Sequence, residues 1–138
     1  MKEGYWFRST LFRIESGEDG EVNSGIDGRH LAQWLKSQLE SHGWPVIDVI
    51  PEDFGWCIRC QLKPFLLWIG CGKVTDVEPA DSLQSGDNVV WHCFPVAEAP
   101  LVARLFKKFD VNSALIRLDE LLLKILTAES AIQLVHEP

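Results

Sequence analysis

Apolar and polar positions along the chain switch between two periods, and the switches mark out the elements. Residues 4–14, GYWFRSTLFRI, are rich in aromatic and β-branched side chains and predict a strand. Residues 15–26, ESGEDGEVNSGI, hold three glycines and four acids and predict a loop. A helical period follows: Leu31, Trp34, Leu35 and Leu39 fall at i, i+3, i+4 and i+8 and form one apolar stripe. Arg29, Gln33, Lys36, Gln38 and Glu40 lie mostly off it. Asp27 is the expected N-cap and Gly43 the expected stop, where a left-handed residue is usual.

Strand-like patterning returns after Gly43. Residues 44–50 predict a short strand, and PEDFG (51–55) a turn, with Pro51 presetting the backbone and Gly55 releasing it. Residues 56–62 predict the next strand, and Lys63–Pro64 a tight connection. Residues 65–71 are almost wholly apolar, which points to a central strand covered on both faces. A polar loop is expected over 72–87 and a further strand over 88–96. Helical spacing predicts two closing helices, 99–109 and 112–128. In the second, Leu115, Leu118, Leu122 and Ile125 form a stripe that Leu121 and Leu126 widen; residues 132–135 read as a short last strand.

This order predicts one α+β domain over 1–138: a mainly antiparallel sheet of four to six strands with three main helices on one face. With 46% hydrophobic residues and six tryptophans the chain can fill a core without metal or disulfide support. No apolar run approaches the ~20 residues of a membrane span, and the first ten residues lack an apolar leader core. The expectation is a soluble, cytoplasmic protein with no membrane partner. A net charge of −7 argues against a nucleic-acid partner, since phosphate neutralisation needs clustered Lys and Arg.

The search for chemistry excludes more than it assigns. Gly70-Cys71-Gly72-Lys73 resembles the end of a phosphate loop, but Leu67 stands where the first glycine is needed and Val74 where Ser or Thr would hold magnesium. Cys57-Ile-Arg-Cys60 matches C-x-x-C, yet it lies in a strand pattern, where residues three apart point to opposite faces. Free thiols at Cys57, Cys60, Cys71 and Cys93 are therefore expected, with no metal and no cofactor. His92 and Cys93 are strand neighbours facing opposite ways, so adjacency makes no Cys/His pair, while a long-range pair such as Cys60 with His92 stays open; His30 falls on the first helix turn, His42 before the helix stop and His136 near the end of the sequence. No catalytic residue is assigned, and enzymatic activity is not favoured.

Glu52 and Asp53 form the one adjacent carboxylate pair flanked by aromatics, Phe54 and Trp56. As turn residues their acids can bond nearby backbone N–H groups; as a surface, two charges beside two large apolar groups suit a binding anchor. A second acidic group, Glu18, Asp19 and Glu21, lies in the early loop. These seven residues are the expected partner-binding positions, with a basic protein as the partner.

The pattern N-x-G-x-x-G-x-x-L-A-x-W-L (Asn23, Gly25, Gly28, Leu31, Ala32, Trp34, Leu35) is followed by L-x-x-x-G-W-x-V (Leu39, Gly43, Trp44, Val46). PEDFGW (51–56) and WIGCG (68–72) complete it. Over about residues 5–72 it resembles a widespread family of small bacterial proteins. That resemblance implies a bacterial source and an intact fold, and it carries over no catalytic residue.

The resulting expectation is a small acidic protein that binds another protein, with an immunity- or antitoxin-type inhibitor as the subtype suggested by size and charge. The alternative is a small-molecule binder or small enzyme using an aromatic-lined cleft on the sheet, built from some of Trp44, Trp56, Trp68 and Trp91.

Overall fold

The structure is a computed structural model that describes residues 4–12, 28–74, 89–98 and 111–138. Its elements are β1 (Tyr5–Ser9), α1 (Arg29–Ser41), β2 (Asp48–Glu52), β3 (Gly55–Gln61), β4 (Leu66–Lys73), β5 (Trp91–Glu98), α2 (Val111–Ala128) and β6 (Ile132–Val135). The strands form one six-stranded sheet in the order β2-β3-β4-β5-β1-β6, with every neighbouring pair antiparallel. The α+β class and the antiparallel sheet agree with the sequence pattern. The expected three main helices are corrected to two among the described residues, α1 and α2. The expected helix over 99–109 falls on residues outside the described ones.

The helix α1 follows its stripe. Leu31, Ala32, Leu35 and Leu39 are buried, and Trp34 packs beside them. Asp27 lies outside the described residues; the cap position is Gly28, with no side-chain cap and a φ of 116°. Its carbonyl accepts the first helical bond, from the Ala32 N–H at 2.9 Å. At the other end Gly43, with φ 82°, donates to the Glu40 carbonyl at 3.0 Å, and Trp44 donates to that of Leu39 at 2.9 Å. This crossed pair is a Schellman stop, and it satisfies carbonyls that the helix would leave orphaned. The exposed His42 joins through its backbone N–H, which reaches the Gln38 and Leu39 carbonyls.

Several strand boundaries move for identifiable reasons. β1 ends at Ser9 because the Ser9 hydroxyl accepts the Leu11 N–H at 3.1 Å, a side-chain turn that breaks the ladder. The Trp44 N–H is used by the helix stop, bonding to β3 starts with the Ile47 N–H on the Arg59 carbonyl at 2.7 Å, and β2 runs from Asp48 through Pro51 and Glu52. Pro51 is tolerated in the strand because β2 is an edge, so a missing N–H can face outward. The turn therefore contracts to Asp53 and Phe54, between the paired Glu52 and Gly55. β5 starts at Trp91, and Pro95 sits inside it, beyond the last residue of β5 that pairs with β1, Cys93.

Both helices lie on one face of the sheet. α1 packs over β2 and β3, while α2 packs over β5 and β6. Tyr5, Phe7, Ile58, Cys60, Leu67, Ile69, Cys71, Trp91 and Cys93 meet Leu118, Leu122, Ile125 and Leu126 of α2 and the α1 stripe in one core. Each fully buried leucine there contributes about 1.5–3 kcal/mol by leaving water.

Candidate functional site

Strand alternation sends the remaining side chains to the opposite face, against which neither described helix packs. On that outer face β5 presents His92 and Phe94, β1 presents Trp6, and β4 presents Trp68, Gly70 and Gly72. The rings run in contact. Trp6 stacks on His92 at 4.2 Å with an interplanar angle of 6°, and His92 meets Phe94 at 4.8 Å. Phe94 lies 5.5 Å from Phe54 and 5.8 Å from Trp68, and Phe54 stacks on Trp68 at 5.9 Å.

Two glycines make this row possible. Gly70 stands opposite Phe94, and a Cβ built on it would come within 2.2 Å of the Phe94 ring. Gly72 lies beneath the β2–β3 turn, where a Cβ would meet the Phe54 carbonyl oxygen at 2.4 Å. The bare backbone of β4 thus lets one ring and one turn close over it. That is the cover on the second face that the apolar run 65–71 called for; rings and a turn supply it.

The β2 side of the row ends in an ion pair. Arg59, opposite Trp68 on β4 and Asp48 on β2, donates from Nε to Asp48 Oδ1 at 2.7 Å and from a terminal nitrogen to Oδ2 at 2.5 Å. The Arg59 hydrogen bonds hold the Asp48 carboxyl below the usual range. Cys57 also lies on the outer face, opposite Gly70, and is nevertheless buried. Burial, reinforced by the Glu52 charge, pushes its thiol up to about 12. Cys60 belongs to the inner core, and burial pushes it to about 12 as well. The C-x-x-C pair is thus divided between the two faces, as strand geometry requires.

The expected partner-binding residues are distributed unevenly. Glu52, Asp53 and Phe54 are exposed at the β2–β3 turn, with Phe54 at 40%. Trp56 lies on the opposite face, packed against the core, so the turn does not present both aromatics together. Glu18, Asp19 and Glu21 lie outside the described residues. Of the four tryptophans expected to share a cleft, Trp91 is fully buried and Trp44 and Trp56 pack on the core. Only Trp68 joins the outer-face aromatics.

Sequence reasoning missed Trp6, His92 and Phe94. Their signal was the alternation in W-H-C-F, read together with the glycine alternation in G-C-G on the neighbouring strand. Gly at every second strand position marks close approach of another group.

Comparisons with protein-family models, with curated proteins and with solved structures each find no match. Among the described residues no group of three or more His, Cys, Asp or Glu could hold a metal ion, and no helix is long and apolar enough to cross a membrane.

Proposed function

We propose that the outer-face aromatic row is a docking surface for another protein, and that the chain works as a small acidic binding protein of the bacterial cytoplasm. An immunity- or antitoxin-type inhibitor is the subtype that fits. The observation that carries this reading is the continuity of Trp6, His92, Phe94, Phe54 and Trp68 across β1, β5, the β2–β3 turn and β4. A run of large rings on a face that neither described helix covers is the kind of apolar surface on which another protein docks. Aromatic side chains are also enriched in interface centres, where they carry much of the binding energy.

The exposed acids Glu52 and Asp53 adjoin Phe54, the most accessible ring of the row. With a net charge of −7, they favour a partner bearing Lys or Arg beside its own apolar anchor. The acids would govern encounter and the rings residence.

The test is a capture experiment run in parallel with the unsubstituted protein and a Phe54→Ala/Trp68→Ala variant of verified fold. A basic protein retained by the first and lost by the second, then rebound as a purified pair with defined stoichiometry, supports the proposal. Equal retention by both removes the aromatic row from the interface.

A further inference from the structure

The cysteines that are close in sequence are apart in space, and two that are distant in sequence are neighbours. Cys71 on β4 and Cys93 on β5 are separated by 22 positions, yet they stand directly opposite each other in the β4–β5 register. Both are 0% exposed on the helix-covered face, and their Sγ atoms lie 3.6 Å apart. Opposed residues of an antiparallel pair have Cα atoms about 4.5–5.5 Å apart, which is within the span of about 4.4–6.8 Å that a disulfide bridges. Cys57 and Cys60 have no such option, since β3 turns one to each face.

We propose that Cys71 and Cys93 are a disulfide-forming site that ties β4 to β5, filled by exchange with a low-molecular-weight disulfide while these strands assemble and not once they are packed. The order of events follows from burial. Neither sulfur is accessible in the folded chain, and burial raises the Cys71 thiol well above the ordinary range, so little thiolate is present to attack. During assembly both thiols still meet solvent, and the register that the sheet is adopting brings them together.

The exchange balances with glutathione disulfide as the oxidant. One cysteine thiolate attacks a glutathione sulfur, the glutathione S–S bond breaks, and one glutathione thiolate leaves. The second cysteine thiolate then attacks the protein sulfur of the mixed disulfide and releases the second glutathione. The two cysteines lose two electrons, the glutathione disulfide gains them, and the two cysteine protons end on the released thiols.

The experiment is refolding of the reduced, denatured chain in a reduced/oxidised glutathione buffer, with acid quenching and disulfide mapping by mass spectrometry without reduction. A Cys71–Cys93 bridge should dominate. The folded, reduced protein placed in the same buffer should form it at least about tenfold more slowly, because access then requires local opening. A Cys57→Ala/Cys60→Ala variant should keep the bridge, and Cys93→Ala should abolish it. Mapping of the unsubstituted chain decides the matter even if Cys93→Ala does not fold. A dominant Cys57–Cys60 bridge, or no intramolecular disulfide, overturns the site. Equally fast closure in the folded protein overturns the assembly-coupled route.

Discussion

Tyr5 on β1 donates a 2.9 Å hydrogen bond to Asp119 Oδ2 on α2, across 114 positions of sequence. The ring is 5% exposed, and burial together with the Asp119 carboxylate raises the phenol well above its usual range. A sheet strand near one end of the chain is thereby tied to a helix near the other. Tyr5→Phe keeps the ring and removes the donor. It should lower the unfolding free energy by about 1–2 kcal/mol, measured by urea denaturation. No change would show that water replaces the hydroxyl at no cost.

The two glycines of β4 should respond differently to a methyl group. At Gly72 the obstacle is the Phe54 carbonyl, which is backbone and cannot move without opening the turn. Gly72→Ala should therefore cost about 1–3 kcal/mol. At Gly70 the obstacle is the Phe94 ring, a side chain that can swing aside. Gly70→Ala should cost less stability and displace Phe94 from its contacts with Phe54 and Trp68. Thermal denaturation ranks the two variants; a larger cost at Gly70 contradicts this account.

Alkaline pH should destabilise the reduced protein. Cys57 and Cys60 are raised to about 12, against about 8.5 for an unfolded thiol. Their contribution is fully present below the unfolded value and is lost as pH rises through the folded one. In that window the folded chain holds protons that the unfolded chain has released, so stability declines with pH. Urea midpoints under reducing conditions should fall between pH 8 and pH 10. The Cys57→Ala/Cys60→Ala variant should show a shallower decline, and an identical slope would exclude these thiols as its cause.

At the proposed docking face, charge and ring should separate kinetically. Glu52→Gln/Asp53→Asn should slow association with a basic partner by severalfold and flatten its dependence on salt. Phe54→Ala should mainly speed dissociation. Stopped-flow association and dilution-induced dissociation measure the two rates. Dissociation changed by the acids and association by the ring would reverse the roles assigned here.

The legible parts of the sequence were those governed by local periodicity. Leu31, Leu35 and Leu39 announce α1 because a buried stripe must recur at helical spacing, and Gly43 announces its end because the stop needs a left-handed residue. Boundaries set by tertiary context were not legible. Pro51 reads as a turn until β2 is known to be an edge, and the end of β1 depends on one hydroxyl of Ser9. The site was half legible. Glu52, Asp53 and Phe54 stand out as a sequence cluster, whereas Trp6, His92 and Phe94 become neighbours of Phe54 and Trp68 only through strand pairing. Trp56 shares the core-facing side of β3 with Ile58 and Cys60, so strand alternation separates it from Phe54 although the two are close in sequence.

Gly70 and Gly72 also bear on what kind of object the aromatic row is. Its members come from four separated stretches of chain, and they converge only because β4 leaves bare backbone beneath them. No linear peptide cut from this protein, the β2–β3 hairpin included, can reproduce that surface. An antibody or inhibitor raised against the row would report on folding itself, and heat or denaturant would erase its epitope without breaking a covalent bond.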